Sequence, residues 1–558
     1  MLGIINSPEL NPERQTDPQT LVGSQVAGRE FVRHLIRWWP EEVAICVPST
    51  QMAGFQRELT RYRENLGMKV CATLVEHKQI LRSLGQSSMS GLYDASGPYL
   101  HRLAYLREYA PTPIPIMGTT HGLSQQFLLW EFFARLVATP TLECDSIICT
   151  SEAARQVFHN LLDQTLAGFR EAGFVCPNPL LRLDKIPLGV DTELFRPRER
   201  EPLRSLLGLP KECIILCMFG RVDPASKMDI VPLLKIFQSL LQKYNGVSLR
   251  LLIAGNIPIN RYDQIKKMAQ EFGCADQIIW RLQPSLNEAP LYYSACDIFI
   301  SLSDTLQESF GLAPLEAMAS GLPVVVSDWS GYRETVLHGV TGFRIPTYWM
   351  SCDQEIVALA PISDWSQDHL LLSQSIVINT DALYQALDSL IGNPALRYEL
   401  GSNAYKHVVA NYSWQNIIKN IYELFQELSS IAQKLTKPAL SNRTLLCPQY
   451  FQNFHHFATK VLEGEETLMP TLQGRELERS LDTSQTYPDL QPHLHFALIK
   501  LILRSVRLAQ LCHIPLTLRT VIVRLSEKFG LPLDTVTWHL MWLLKHDYLK
   551  IAHVSSNK

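Results

Sequence analysis

Short runs of consecutive apolar residues alternate with segments of helical period along most of this chain. LGIIN, EEVAICVP, MKVCATLV, IPIMGTTH and SIICTS stand in the first part; ECIILCMFG, SLRLLIAG, QIIWRL, DIFISLS, LPVVVSD and GFRIP follow in the second. Such runs predict short strands, and their continuity predicts burial on both faces rather than one wet face. Helical patterns lie between them, as over 229–244 and 289–295. Strands alternating with helices predict an α/β protein with parallel sheets. Pro and Gly break the pattern in IPLGVDTELFRP (186–197), which divides the strands into a first domain, 1–190, and a second, 191–437. A ligand is expected in the cleft between them, beyond the carboxyl ends of the strands.

Two further segments depart from this rhythm. Residues 347–379 carry neither clean strand nor helix spacing and predict a surface insertion, of the kind that is more often functional or partner-facing than random. A long amphipathic helix is predicted over 415–435, and beyond it 438–558 reads as an appended helical module.

Composition narrows the class without naming a chemistry. At 558 residues the chain is too long for a single core. With 46% apolar and 19% charged residues it is neither disordered nor fibrous. A net charge of −3 gives no whole-chain basic footprint for nucleic acid. No apolar run reaches the ~20 residues of a membrane span, and the first residues lack the basic and apolar regions of a secretory signal. The 12 cysteines form no CxxC pair, so neither a zinc site nor a disulfide framework is expected. A reduced, cytoplasmic setting follows as the expectation.

The chemistry concentrates in DIFISLSDTLQESFGLAPLEAMASGLPVVVSD (297–328). A buried-type strand opens into the polar loop SDTLQES, and a helix is predicted from near Phe310, with Pro314 tolerated in its first turn. Gly321 predicts its left-handed stop. Glu308 then sits in the cleft-facing loop, and Glu316 follows a little over two helical turns later, among Leu315, Ala317, Met318 and Ala319. A carboxylate in that apolar setting needs partners, and sugar hydroxyls are suitable ones. The helix amino terminus offers free N–H groups to a phosphate or sugar oxygen. Taken alone, the pair reads equally as a solvated helix residue and a dipole-favoured first-turn acid.

The segment resembles the E-x7-E signature of retaining GT-B glycosyltransferases (glycosyltransferase family four, or glycosyl transferases group 1), the family of sucrose synthase and bacterial mannosyltransferases. IPLGVDTELFRP, GRVDPASKMDIVPLL, YSACDIFISLSD, FGLAPLEAMASGLPVV, GYRETVLHGVTGF and NYSW occur in the family's order over roughly 115–425. The resemblance implies two facing Rossmann-like domains with an interdomain cleft and a nucleotide-diphosphate-sugar donor, such as a UDP- or GDP-sugar. It implies that Arg221 and Lys227 grip the donor pyrophosphate, where two fixed cations would stabilise the departing charge. It further implies that Glu308 contacts the transferred sugar and that Glu316 binds the ribose. The backbone of Ser309, Phe310, Gly311 and Leu312 would reach sugar and phosphate, and His121 of MGTTHG would lie near donor sugar and acceptor. Asp145 and Ser151 match a segment of structural role, with Ser151 predicted as a helix N-cap. No Asp-x-Asp pair is present, so no metal or other cofactor is expected. The family's Gly-Gly pair after the first strand is represented only by Gly23 and Gly28 in VGSQVAGREFVRHLI.

Three readings of function follow from these residues. The first is an active retaining glycosyltransferase working on an unassigned saccharide, lipid-linked or small-molecule acceptor. The second is a catalytically silent GT-B scaffold or regulator acting through its C-terminal module. The third, a nucleotide-sugar epimerase on the same architecture, is disfavoured by the E-x7-E context. In the module, PLTLRTVIVRLSEKFGLPLDTVTWHLMWLLKHDYLKI reads as helix-turn-helix or winged-helix. Arg519, Arg524, Lys528, Lys545 and Lys550 outnumber Glu527, Asp534 and Asp547 there. The stripe of Trp538, Leu540, Met541, Trp542, Leu543 and Leu544 nonetheless points to core, a protein partner or self-association rather than nucleic acid. REFVRHLIRWWP (29–40) mixes Arg29, Arg33 and Arg37 with Phe31, Trp38 and Trp39, which reads as a core-packed helix or as a peripheral contact with the inner membrane face.

Overall fold

The fold was analysed in a computed structural model, which describes residues 1–5, 23–66, 72–125, 131–285, 288–437, 450–480 and 487–552. Two parallel sheets dominate it. The first joins β1 (Leu2–Ile5), β2 (Val43–Val47), β3 (Ala72–Glu76), β4 (Gly91–Asp94), β5 (Ile116–Thr119), β6 (Asp145–Cys149) and β7 (Leu181–Lys185) in the order β3-β2-β1-β4-β5-β6-β7. The second joins β8 (Ile214–Phe219), β9 (Leu249–Gly255), β10 (Ile278–Leu282), β11 (Ile298–Ser301), β12 (Val324–Ser327) and β13 (Gly342–Ile345) in the order β10-β9-β8-β11-β12-β13. Each is doubly wound, and the strand order reverses between β1 and β4 in one sheet and between β8 and β11 in the other. The crevice at such a reversal, beyond the carboxyl ends of the strands, is where this architecture binds ligands.

Every apolar run of the second part became a strand. β4 and β7 were not anticipated, for a physical reason. GLYD has only two strongly apolar residues, and LRLDK at the sheet edge is half-exposed and alternates with polar residues.

Packing redraws one boundary. The Trp414–Ala432 helix falls by chain order in the 191–437 domain. Its buried Trp414, Ile417, Ile418, Ile421 and Phe425, however, join a core with Phe31, Leu35 and Trp39 of the first domain. The amphipathic face thus crosses back and ties the two domains together. The Gly23–Trp38 helix packs on it through Phe31 and Leu35, and Trp39 just beyond the helix joins them, so Phe31 and Trp39 belong to the core rather than to an interfacial face.

The 347–379 excursion is structured. β14 (Thr347–Tyr348) pairs antiparallel with β15 (Val377–Ile378), and the Gln354–Leu359 and Trp365–Ser373 helices lie between them. His369 Nε2 lies 3.1 Å from the Ser124 carbonyl of the first domain, while Ser373 Oγ donates to the Pro224 carbonyl at 2.8 Å. The excursion therefore bridges the loops that carry His121 and Lys227.

A separate unit spans Pro448–Lys558. Helices Phe496–Leu511, Leu518–Phe529 and Leu533–Lys545 pack around Leu498, Ile502, Val521, Val536, Leu540 and Leu543. β16 (Leu468–Pro470) pairs antiparallel with β17 (Leu549–Ile551), and Thr467 bridges Thr517. The turn between the last two helices is closed by Gly530 in the left-handed region. Of the expected apolar stripe, Leu540, Trp542 and Leu543 are core, whereas Trp538 and Met541 are exposed.

Candidate active site

The site grows from the strand ends at the reversal of the second sheet. β8 ends at Phe219 and the chain turns at Gly220, whose carbonyl presses so close to Gly255 that a Cβ there would collide with it. Arg221 follows at once, and the next loop is pinned from several sides. Ser226 Oγ donates to Asp223 at 2.8 Å, the Lys227 N–H donates to the Asp223 carbonyl at 2.9 Å, and Ser303 Oγ donates to the Lys227 carbonyl at 2.9 Å. Lys227 is thereby aimed at the loop after β11, where its ammonium pairs with the Glu308 carboxylate. Both side chains are mostly buried. Burial pulls the Lys227 pKa down, but the charge of Glu308 and contact with Tyr332 outweigh it and the net shift is upward. Arg221 is shifted down by its burial, opposed by Asp223 and Glu308, and among the described residues it forms no ion pair.

Tyr332 closes the pocket behind this pair. Its hydroxyl lies 2.8 Å from Ser301 Oγ and 3.4 Å from Glu308 Oε2, and the side chain is fully buried. Its ring packs directly on Gly311, which has φ +95° and no room for a Cβ. Glycine is required there for both reasons. The helix after this loop runs Leu312–Ala319, two residues later than expected at its start, because Gly311 is the left-handed entry residue.

Glu316 accepts a hydrogen bond from the Tyr293 hydroxyl at 3.0 Å. Burial pushes the Glu316 carboxyl up to about 7; Tyr293 opposes this, while the charge of Glu30 from the first domain adds to it. Asp304, likewise buried and receiving the Asp229 N–H at 3.3 Å, is pushed up to about 8. Tyr293, Tyr332 and Asp304 all stood inside quoted motifs (YSACD, GYRET, SLSD) but had no assigned role, because only the folded chain reveals which group each one meets.

The first domain supplies the facing wall. Ser151 caps the Glu152–Glu171 helix by accepting the Ala154 N–H at 3.0 Å, and its hydroxyl donates across the cleft to the Ser309 carbonyl at 2.6 Å. His121 follows β5, with Nε2 2.8 Å from the Ala95 carbonyl and a pKa lowered by burial. Its neighbour Gly122 abuts Gln307, since a Cβ on Gly122 would lie 3.7 Å from Gln307 Cγ. The His121 loop and the Glu308 loop therefore touch. Asp145 is structural: it is buried and paired with Arg107 at 2.5 Å.

The loop residues expected to reach sugar and phosphate also have partners within the protein. The Phe310 N–H is engaged by Glu308 Oε1 at 3.3 Å, and the Phe310 ring lies in the core against Tyr412. Ser309 offers its carbonyl to Ser151, and Leu312 is half-buried. Gly23 and Gly28 were expected in a phosphate-facing loop; both lie within the Gly23–Trp38 helix, where the apolar period of the segment carries them. The connection before them, 6–22, is outside the described residues.

Residues 199–358, which span the strands and loops carrying Arg221, Lys227, Glu308 and Glu316, match the family model of glycosyl transferases group 1. Over that stretch the chain is similar to the glycosyl transferases of group 1. It is similar to the D-inositol 3-phosphate glycosyltransferase of Rhodococcus erythropolis, 26% identical over 44% of this chain and 48% of that protein. It is also similar to the enzyme of the same name from Thermobispora bispora, 28% identical over 44% and 57%. The chain thus spans about half the length of the curated relatives it matches. Among solved structures, a glycosyltransferase from Rickettsia africae superposes with TM-score 0.50 at 15% identity, over 76% of this chain and 98% of that one. HepE from Anabaena, solved with UDP, superposes with TM-score 0.50 at 15% identity, over 76% and 99%. In fold, the two parallel-sheet domains form a GT-B pair. Among the described residues no helix is long and apolar enough to cross a membrane.

Proposed function

We propose that this chain transfers a sugar from a nucleotide-diphosphate-sugar to an acceptor hydroxyl with retention of anomeric configuration, and without a divalent metal on the diphosphate. The observation that carries the reading is the cationic pair Arg221 and Lys227 beside Glu308 at the β8/β11 reversal, with Glu316 on the next helix buried against Tyr293 of the Ala289–Ala295 helix. Arg221 and Lys227 would take the diphosphate and stabilise the charge that develops as it leaves, the role a metal plays elsewhere. Glu308 would hold the hydroxyls of the transferred sugar, and Glu316 those of the ribose. The acceptor attacks from the face the leaving group vacates, and the departing diphosphate helps to stabilise the oxocarbenium-like transition state. His121 is kept neutral by burial and, with Nε2–H donating to Ala95, can accept at Nδ1 beside the acceptor wall.

A thermal-shift screen with UDP, GDP, ADP and their sugar conjugates, run in excess chelator, tests this. A true donor should raise the melting temperature by mass action, and the product anomer should match the donor. Stabilisation by the donor that requires added Mg2+ or Mn2+, the ions that sit on a diphosphate, or an inverted product, overturns the proposal.

A further inference from the structure

Away from the donor pocket, three groups of metal-ligand type converge. Glu30 and His34 are one turn apart on the Gly23–Trp38 helix and so share a face. Asp191 arrives from the segment that joins the two domains. His34 Nε2 lies 3.5 Å from Glu30 Oε2 and 3.5 Å from Asp191 Oδ2, and one atom from each of the three residues falls within 4.8 Å of the others. His34 is only 2% exposed, and its ring nitrogens make no hydrogen bond of regular geometry among the described residues. Nε2 is nonetheless ion-paired with both carboxylates; burial pulls the His34 pKa down, but the carboxylates outweigh it and raise it, so an entering ion would take the place of a proton. The His34 ring is also held by stacking on Trp414, with centroids 5.4 Å apart and planes at 13°. Asp191 is equally fixed: its Oδ1 accepts the N–H groups of Glu193 and Leu194 at 3.0 Å each, which leaves Oδ2 for His34.

We propose that Glu30, His34 and Asp191 bind a divalent transition ion, with Zn2+ the best match, which clips the first-domain helix to the interdomain segment. Ligand atoms at about 2.1 Å from a tetrahedral ion stand about 3.4 Å apart. The two 3.5 Å separations fit that edge, whereas hydrogen bonds between the same groups would be shorter. One imidazole and two carboxylates suit Zn2+ better than Ca2+ or Mg2+, which favour all-oxygen shells. Three protein ligands leave the fourth position for water. Arg33 Nη1, at 3.5 Å from Glu30 and 3.8 Å from Asp191, supplies counter-charge without the ion. At 33% exposure its side chain can turn to solvent as an ion enters. Because the charge of Glu30 also acts on Glu316, the ion would be felt at the donor pocket.

The test uses the full chain, stripped with a chelator and titrated with Co2+ and then Zn2+ at about pH 7.5, where the ligands are free to deprotonate. One Co2+ per chain is expected, with visible d–d absorption, no intense thiolate charge-transfer band, and displacement by Zn2+. Glu30→Gln and His34→Ala should each weaken binding at least tenfold. Arg33→Ala should tighten it, since it removes the competing cation. Should His34→Ala fail to fold, judged by circular dichroism, the half-buried Glu30→Gln and Arg33→Ala variants decide. No saturable binding at micromolar ion, a thiolate-type spectrum, or affinities unmoved by Glu30→Gln and Arg33→Ala would overturn the site.

Discussion

Lys227 and Glu308 neutralise one another at the carboxyl ends of β8 and β11, so the residue expected to take a diphosphate is held by the residue expected to take the sugar. A donor that binds there must draw Lys227 away from Glu308. Glu308→Gln should therefore preserve or improve affinity for the free nucleoside diphosphate while lowering kcat by about 10²–10³, the scale of losing one transition-state electrostatic contact. Calorimetry with the diphosphate and initial rates with the donor separate the two. Equal losses in both would contradict this division of labour.

Lys227→Ala removes both functions at once. It leaves Glu308 mostly buried beside Tyr332 without its counter-ion, so reduced stability should accompany weakened diphosphate binding. Breaking a buried pair from one side costs about 3–5 kcal/mol; these side chains are partly solvated, so a smaller loss is expected here. A chemical-denaturation series should find Lys227→Ala/Glu308→Gln more stable than Lys227→Ala alone.

Glu316 and Asp304 set a pH dependence of stability. Burial raises them to about 7 and about 8, whereas unfolded carboxylates ionise near 4. Between those limits the native state holds more protons than the unfolded one, so their contribution is full below about pH 4 and is lost as the pH rises. Relative to the parent, Glu316→Gln should flatten the fall in melting temperature up to about pH 7, and Asp304→Asn should flatten it up to about pH 8. A ligand-free parent whose melting temperature falls no more steeply than that of the variants would refute the assignment.

Ser151 serves two elements with one hydroxyl, capping the Glu152–Glu171 helix and bonding to the Ser309 carbonyl. Ser151→Ala should cost about 1–2 kcal/mol, the upper part of the range for loss of a cap. It should also raise KM for the donor, because the Ser309 loop loses its tether. Ser151→Thr, which keeps the hydroxyl, should recover most of both.

Asp145 offers a contrasting control. Asp145→Ala strands a buried Arg107 and should destabilise by about 3–5 kcal/mol. Activity per folded molecule should be unchanged, and an activity loss beyond the folded fraction would give Asp145 a part in the site.

The sequence by itself determined the character of both sheets and singled out the residues of the candidate site. Strands buried on two faces must be apolar along their length, so runs such as LRLLIAG and PVVVS announce themselves locally. Arg221, Lys227, Glu308 and Glu316 stood out because the motifs that hold them resemble those of the E-x7-E family in order and spacing; no local period marks them. What touches what was a matter for the tertiary structure. Tyr332 reaches Glu308 and Tyr293 reaches Glu316 over 24 and 23 residues, separations at which no local period constrains the pairing. The return of the Trp414–Ala432 helix to the first domain was equally invisible, since an apolar face states that it will be buried but not against which partner. The Glu30–His34–Asp191 cluster lay hidden for the same reason. Two of its members share a helical turn; the third is more than 150 residues away, and only the docking of the two domains brings its carboxylate to the imidazole.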